Sequence, residues 1–204
     1  MLTIIDYGVG NIFAFQNVYK RLNIPTKVAK NIEDLANVDK LILPGVGNFD
    51  YAMNQLNNSG LRTRLDELVL INKIPVIGIC IGMQIMANDS EEGISKGLGW
   101  IDASVKKFNS SKIEFHTKLP HMGWNDVIPI GHNKLFEGLD KNSIFYFLHS
   151  YYFSCHNKNQ TISTSEYGIK FTSCVQHENI YGIQFHPEKS HSYGEKLLHN
   201  FAKL

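Results

Sequence analysis

Short, unbroken apolar runs alternate with amphipathic segments in the first half of the chain, and apolar–polar alternation takes over in the second. Leu2 to Ile5 is predicted as a strand that ends in the glycine-containing loop Asp6-Tyr7-Gly8-Val9-Gly10-Asn11. Ile12, Phe15, Val18, Tyr19 and Leu22 then recur at helical spacing. Thr26 to Ala29 reads as a second strand, and Asn31 as the cap of a brief helix through Leu35. A third strand, Leu41 to Leu43, stops at Pro44-Gly45, and helices over Asp50 to Leu56 and Leu61 to Ile71 lead to a fourth strand, Val76 to Ile79. Continuously apolar strands separated by helices predict a parallel sheet covered on both faces. Ligands bind beyond the carboxyl ends of such strands, so the loops at Asp6, Pro44 and Cys80 are expected to line one site.

Met83 to Asn88 is predicted to continue a helix that the polar loop Glu91-Glu92-Gly93 ends. After Gly97 strands follow one another: Trp100 to Phe108, Met122 to Ile128, Ile144 to Tyr152, Thr161 to Tyr167, Phe171 to Val175 and Ile180 to Phe185. Tyr193, Leu197, Leu198 and Phe201 mark a closing amphipathic helix. The expectation is one α/β domain over residues 1–204, a mostly parallel sheet flanked by helices, with antiparallel or mixed sheet added to the same core.

Composition alters this picture little. A formal net charge of +1 gives no reason to propose a nucleic-acid partner. Three cysteines, an odd number without metal-ligand spacing, fit free thiols in a reducing compartment, so a cytoplasmic protein with no metal and no cofactor is expected. No apolar run approaches the roughly 20 residues that span a bilayer. Gly8 and Gly10 lack the third glycine of a dinucleotide loop, because Phe13 stands in its place, and a tight strand–helix turn is the better reading.

The chemistry is concentrated in two stretches. In Pro75-Val-Ile-Gly-Ile-Cys-Ile-Gly-Met-Gln84 a buried strand runs into a helix, with glycines two residues to either side of Cys80. This is the thiol form of a nucleophile elbow, in which the helix N-terminus favours a thiolate and the N–H of Ile81 faces an oxyanion. Without further support Cys80 is equally well a buried core cysteine. In Gln184-Phe-His-Pro-Glu188, His186 and Glu188 fall on one side of an extended chain that Pro187 enforces. A carboxylate beside an imidazole sets its tautomer and stabilises its charged form. If Ile180 to Phe185 pairs beside the elbow strand, Cys80 and His186 meet. Gly45 and Val46, in Pro44-Gly-Val-Gly47, are candidates for a second oxyanion donor.

Gly78-Ile-Cys-Ile-Gly-Met-Gln84 together with His186-Pro-Glu188 resembles the class I (triad) glutamine amidotransferases, which have a flavodoxin-like fold. Ile5 to Asn11, Leu43 to Gly47, Pro120-His-Met-Gly-Trp-Asn125, Tyr146 to Tyr152 and His186 to Ser190 narrow the likeness to the branch of glutaminase subunits of imidazole glycerol phosphate synthases. The blocks fall from end to end of the chain. The resemblance implies a Cys80–His186–Glu188 triad releasing ammonia from L-glutamine, with Gln84, His149, Ser150 and Tyr151 holding the substrate. It implies delivery of the ammonia to a (βα)-barrel cyclase subunit in a heterodimer, for histidine synthesis, with Asn11, Trp124, Tyr146 and Lys189 facing that partner. The bland reading makes Trp124 and Tyr146 core residues and Lys189 an ordinary surface charge. Asp6, Tyr7 and His121 have weaker claims to function, and His116, His132, His156 and His177 read as loop residues.

Ile81 departs from the leucine usual in its block, which matters little for a backbone donor. Asn88 to Ile101 is also similar to a paralogous branch that supplies ammonia for amidino-sugar formation in surface-polysaccharide synthesis, so the acceptor stays open. A non-catalytic scaffold and another cysteine hydrolase of the same fold are the remaining alternatives. A complete Cys–His–Glu set argues against the first, and Gln84 with the Pro120 to Asn125 block against the second.

Overall fold

The computed structural model describes residues 1–115, 118–140 and 143–204. The first half alternates as the pattern predicts: β1 (Leu2–Ile5), α1 (Ile12–Arg21), β2 (Thr26–Ala29), β3 (Lys40–Leu43), α2 (Phe49–Asn58), α3 (Arg62–Asp66), β4 (Val76–Ile79) and α4 (Ile81–Gln84). The second half supplies β5 (Asp89–Ser90), β6 (Ala103–Lys107), β7 (His121–Asp126), β8 (Ile128–Pro129), β9 (Ile144–His149), β10 (Tyr151–Cys155), β11 (Thr161–Tyr167), β12 (Ile169–His177), β13 (Ile180–Ile183) and α5 (His191–Lys203). The brief helix expected after Asn31 is a single 3-10 turn whose N-cap position is Ile32, although the Asn31 side chain does accept the Asp34 N–H at 3.0 Å. The long helix expected to end at Ile71 passes from α3 into a π-helical turn, Glu67–Ile71.

The main sheet runs β2-β1-β3-β4-β13-β12-β10-β6-β5. Its first five strands are mutually parallel, the 2-1-3-4-5 order of flavodoxin-like sheets. The fifth strand of that order is β13, which arrives only after the whole second half has been threaded. β10 and β12 continue the sheet antiparallel, and β7 and β9 form a separate two-stranded sheet. Ile180, Ile183 and Phe185 are buried in the β13 segment, each contributing about 1.5–3 kcal/mol through lost contact with water. Helices cover the sheet: α1 meets α5, where the Tyr19 hydroxyl donates to the Leu198 carbonyl at 3.2 Å, and α2 packs against α4.

Four expectations need correction. The helix after Cys80 ends at Gln84, not Asn88, because the carbonyls of Ile85, Met86 and Ala87 accept from Leu98, Ile101 and Gly99 instead of from the next helical turn. Asp89–Ser90 is then free to pair with β6. The single strand expected from Ile144 to Tyr152 is two strands in different sheets, broken at Ser150, whose carbonyl takes the Phe108 N–H. Side-chain alternation runs on through the break, so periodicity alone cannot see it. Met122 to Ile128 likewise divides, into β7 and β8. Of the histidines read as loop residues, His132 and His156 are, His177 closes β12, and His116 lies outside the described residues.

The turn between β4 and α4 is built on missing side chains. A Cβ on Gly82 would sit 1.9 Å from the Leu43 carbonyl oxygen, and one on Gly45 would sit 2.2 Å from the Gly82 nitrogen. The ends of β3 and β4 therefore touch backbone to backbone. Gly82→Ala is expected to cost at least about 1–3 kcal/mol through overpacking against atoms that cannot rotate away. A urea-unfolding midpoint equal to that of the wild type would contradict this.

Candidate functional site

Cys80 stands at the tip of the turn with φ 54° and ψ −110°. A non-glycine residue in that region stores about 1–3 kcal/mol of backbone strain. The conformation is held from below, where the Cys80 N–H donates to the Ile183 carbonyl at 2.8 Å. The register that makes this bond pairs Ile79 with Ile183, so the chain leaving β13 passes directly beside the cysteine. Gln184, His186 and Glu188 are carried on that exit.

His186 is buried, and its Nδ1 lies 2.9 Å from Glu188 Oε1, a carboxylate whose side chain is only 3% exposed. Cys80 lies close enough to the same ring to act on its charge. Burial opposes a charge on His186, but Cys80 and the Glu188 carboxylate outweigh it and push the pKa up to about 10. A charged imidazole held beside a thiol favours the more nucleophilic thiolate form of sulfur. The segment is braced by Tyr146, whose carbonyl accepts the His186 N–H at 2.8 Å. Buried Ser190 braces it too, accepting from the Tyr146 N–H and donating to the His186 carbonyl. Sequence reasoning missed Ser190, because a serine at the start of a helix reads as an ordinary cap.

A cleft of about 290 Å³ opens over Cys80, lined by Val46, Ile81, Gln84, Glu92, Ser150, Tyr151 and His186 among others. Gly45 is buried behind the lining, packed on the Ile81–Gly82 backbone, and Val46 is the exposed tip of its loop. The buried Tyr7 hydroxyl holds that loop by donating to the Pro44 carbonyl at 2.7 Å. Asp6 works locally, accepting from Gly8 N–H and pairing with Lys30.

Gln84 is 1% exposed, and its Nε2 donates to the Tyr151 carbonyl at 3.1 Å and to Gln184 Oε1 at 2.9 Å. Both amide hydrogens are thereby used, and its Oε1 is buried with no partner among the described residues. An orphan acceptor on a cleft wall suits a donor carried by a ligand. Gln184 Nε2 in turn approaches Cys80 Sγ at 3.7 Å. Glu92 also escaped the sequence reading, having looked like part of a polar loop. Its carboxylate takes the Phe49 N–H at 2.8 Å and borders the cleft, and burial raises its pKa despite that hydrogen bond.

His149 differs from the expectation in one respect. Its ring points into an aromatic cluster with Phe108, Phe147 and Phe171, and both nitrogens are engaged, Nδ1 with the Tyr151 carbonyl at 2.7 Å and Nε2 with His121 Nδ1 at 2.9 Å. The protein itself thus holds the ring, although His149 also lines the cleft. Asn11, Lys189, Tyr146 and Trp124 form one surface beside the cleft. Asn11 and Lys189 border a common depression, Lys189 Nζ lies 5.7 Å from the Tyr146 ring, and Tyr146 meets the edge of Trp124 at 6.1 Å. Trp124 is 44% exposed and Tyr146 half-buried, so neither is a core residue. Asn11 also caps α1 through Ala14.

The chain belongs to the class-I glutamine amidotransferases, whose sequence model matches residues 3–204. Two relatives, each named imidazole glycerol phosphate synthase subunit HisH, align over the full length of both chains: one from Bdellovibrio bacteriovorus at 50% identity and one from Leptospira interrogans at 51%. A solved structure described as a glutamine amidotransferase superposes with a TM-score of 0.75 at 18% identity, covering 99% of this chain and 97% of that one. A solved structure of a putative GMP synthase component from Thermoplasma acidophilum gives 0.73 at 23% identity, covering 99% and 92%. These two share the fold.

Burial lowers the pKa of His121 to about 4 and, with the His121 ring adjacent, that of His149 to about 3. Unfolded histidines take up a proton near pH 6.5, whereas these folded ones resist it until about 4 and 3. Between those values the unfolded chain binds more protons. The stability these residues lend is complete above pH 6.5 and lost as pH falls toward 4. Chemical denaturation at pH 7 and pH 5 is expected to show a lower midpoint at pH 5, with both rings still neutral by long-range 1H–15N NMR. Either ring titrating near 6.5 would contradict the assignment.

Proposed function

We propose that this chain is the glutaminase subunit of an imidazole glycerol phosphate synthase, acting as one glutamine amidotransferase domain over residues 1–204. It hydrolyses L-glutamine to glutamate and ammonia, and passes the ammonia to a (βα)-barrel cyclase subunit with which it forms a heterodimer. The observation that carries the reading is Cys80, lifted onto a cleft at a positive-φ elbow and facing a histidine that a buried glutamate holds. Full-length relatives at 50% and 51% identity bearing the synthase-subunit name favour the histidine-pathway acceptor over sugar amidination. A cytoplasmic location agrees with three free cysteines and with the lack of a helix, among the described residues, long and apolar enough to cross a membrane.

In this mechanism the Cys80 thiolate attacks the side-chain amide carbon of glutamine. The oxyanion draws on the N–H groups of Ile81 and of the Gly45–Val46 loop, each such donor being worth about 3–4 kcal/mol. His186⁺ gives its proton to the amide nitrogen as ammonia leaves and a γ-glutamyl thioester forms. The neutral ring then takes a proton from water, which attacks the thioester, and glutamate departs with the thiolate restored. Glu188 keeps the ring oriented and stabilises its charged form throughout. The orphan oxygen of Gln84 accepts from a glutamine N–H, the Ser150–Tyr151 backbone flanks the substrate, and Glu92 offers a carboxylate to its α-ammonium. Asn11, Trp124, Tyr146 and Lys189 face the cyclase, and ammonia enters the partner across that surface.

Glutamate release is expected to rise many-fold when the cyclase and its nucleotide ligand are added, and to vanish in Cys80→Ala. Hydrolysis that the cyclase leaves unchanged would transfer the assignment to the sugar-amidination branch. No hydrolysis with the partner demonstrably bound would leave only a scaffold. Glu92→Gln is expected to raise KM for glutamine by about tenfold or more, the scale of a lost charge-assisted hydrogen bond, with a smaller effect on kcat. An unchanged KM would remove Glu92 from the substrate site.

A further inference from the structure

His121 stands outside the cleft's reacting groups, yet it is buried and fully engaged. Its Nδ1 meets His149 Nε2 at 2.9 Å, and its Nε2 meets Asn125 Nδ2 at 3.2 Å. The ring lies stacked between Phe147 and Tyr167, at centroid distances of 4.9 and 4.1 Å. The direction of every bond in this chain is fixed by backbone groups at its two ends. The Tyr151 carbonyl can only accept, so His149 carries its proton on Nδ1 and presents Nε2 as an acceptor. His121 must then donate from Nδ1, which leaves its own Nε2 to accept from Asn125. Asn125 fits that demand: its Oδ1 takes the Asp126 N–H at 2.8 Å, and its Nδ2 also donates to the Glu166 carbonyl at 2.8 Å. Neutral rings satisfy every link, which agrees with the low pKa values of both histidines.

The inner end of the chain is the same Tyr151 carbonyl that accepts from Gln84. That bond, with the one to Gln184, forces the oxygen of Gln84 to be the atom left over for a ligand. We propose that His121 is a positioning residue for glutamine, which by donating to His149 holds the Tyr151 carbonyl in place to orient the Gln84 amide. The inference rests on the glutamine site proposed above and deepens it. It gives β7, the strand that also carries exposed Trp124, a hydrogen-bonded route into the cleft through His121 and Asn125.

His121→Asn and His121→Leu have nearly the same shape, but only asparagine returns a donor at the Nδ1 position. His121→Leu in the full chain is expected to raise KM for glutamine about tenfold, on the scale of a lost buried hydrogen bond, while kcat stays within about threefold. Alkylation of Cys80 by a glutamine-shaped diazo ketone slows by the same factor, and its alkylation by iodoacetamide changes little, because the Gln184 contact to sulfur is retained. His121→Asn restores both KM and the diazo-ketone rate to within about threefold of wild type. Should the leucine variant fail to fold, His121→Phe keeps the stacked ring without the donor and is expected to behave as leucine does. Equal KM values for the donor and non-donor variants, or a non-donor variant with wild-type KM, would overturn the inference. A wild type that neither hydrolyses glutamine nor takes the diazo-ketone label at Cys80 would instead overturn the glutaminase reading.

Discussion

The site depends on β13 lying parallel beside β4, in the register that joins the Cys80 amide to the Ile183 carbonyl. That single backbone pairing sets a residue near position 80 against residues more than a hundred positions later. A one-residue slip would turn His186 and Glu188 to the opposite side of the chain and bring the wrong side chains to the sulfur. The same pairing pins the strained backbone of Cys80 from its N–H side, while glycines at 45 and 82 let the end of β3 press against the other. Strain of this kind persists only where its surroundings over-determine it. Here two neighbouring strands do so.

Around this junction the molecule keeps a polar system inside an apolar core. Gln84, Gln184, His121, His149, His186 and Ser190 are all buried, and an unpaired polar group there costs about 1–3 kcal/mol. Nearly all of their hydrogen-bonding capacity is spent on one another or on backbone. The exceptions are informative: Gln84 Oε1 and the second oxygen of Glu188 are buried with no hydrogen-bond partner among the described residues. The two histidine groups also sit in opposite electrostatic settings. His121 and His149, in aromatic surroundings, are held neutral, whereas His186, between a sulfur and a carboxylate, is held charged.

The first half of the fold was legible because its strands are unbroken apolar runs and its helices have a clear stripe, so Leu2–Ile5, Thr26–Ala29 and Val76–Ile79 match their expected bounds. Legibility failed where a backbone partner lies far off in sequence. The helix after Gln84 stops because residues 98 to 101 take its carbonyls, and the strand through Ser150 changes sheets without interrupting its alternation. Cys80, His186 and Glu188 stood out because spacing and proline constrained them locally. Gln184, Glu92 and Ser190 did not, since their roles arise from what they face across the fold. His149 borders the cleft, yet sequence could not tell that its ring is packed against Phe171 and held by protein partners on both nitrogens.

The central claim is that Cys80 forms and releases a covalent bond to the glutamyl group, with His186 as the proton carrier. Acid-quenched mass spectrometry of the Cys80 peptide during glutamine turnover tests this most directly. The account predicts a mass gain of one γ-glutamyl group on Cys80 that chases away when glutamine is removed, and that neither Cys80→Ala nor enzyme held without glutamine shows. Turnover with Cys80 unmodified at every quench time, in a preparation where His186→Asn slows the reaction without causing any adduct to build up, would contradict it.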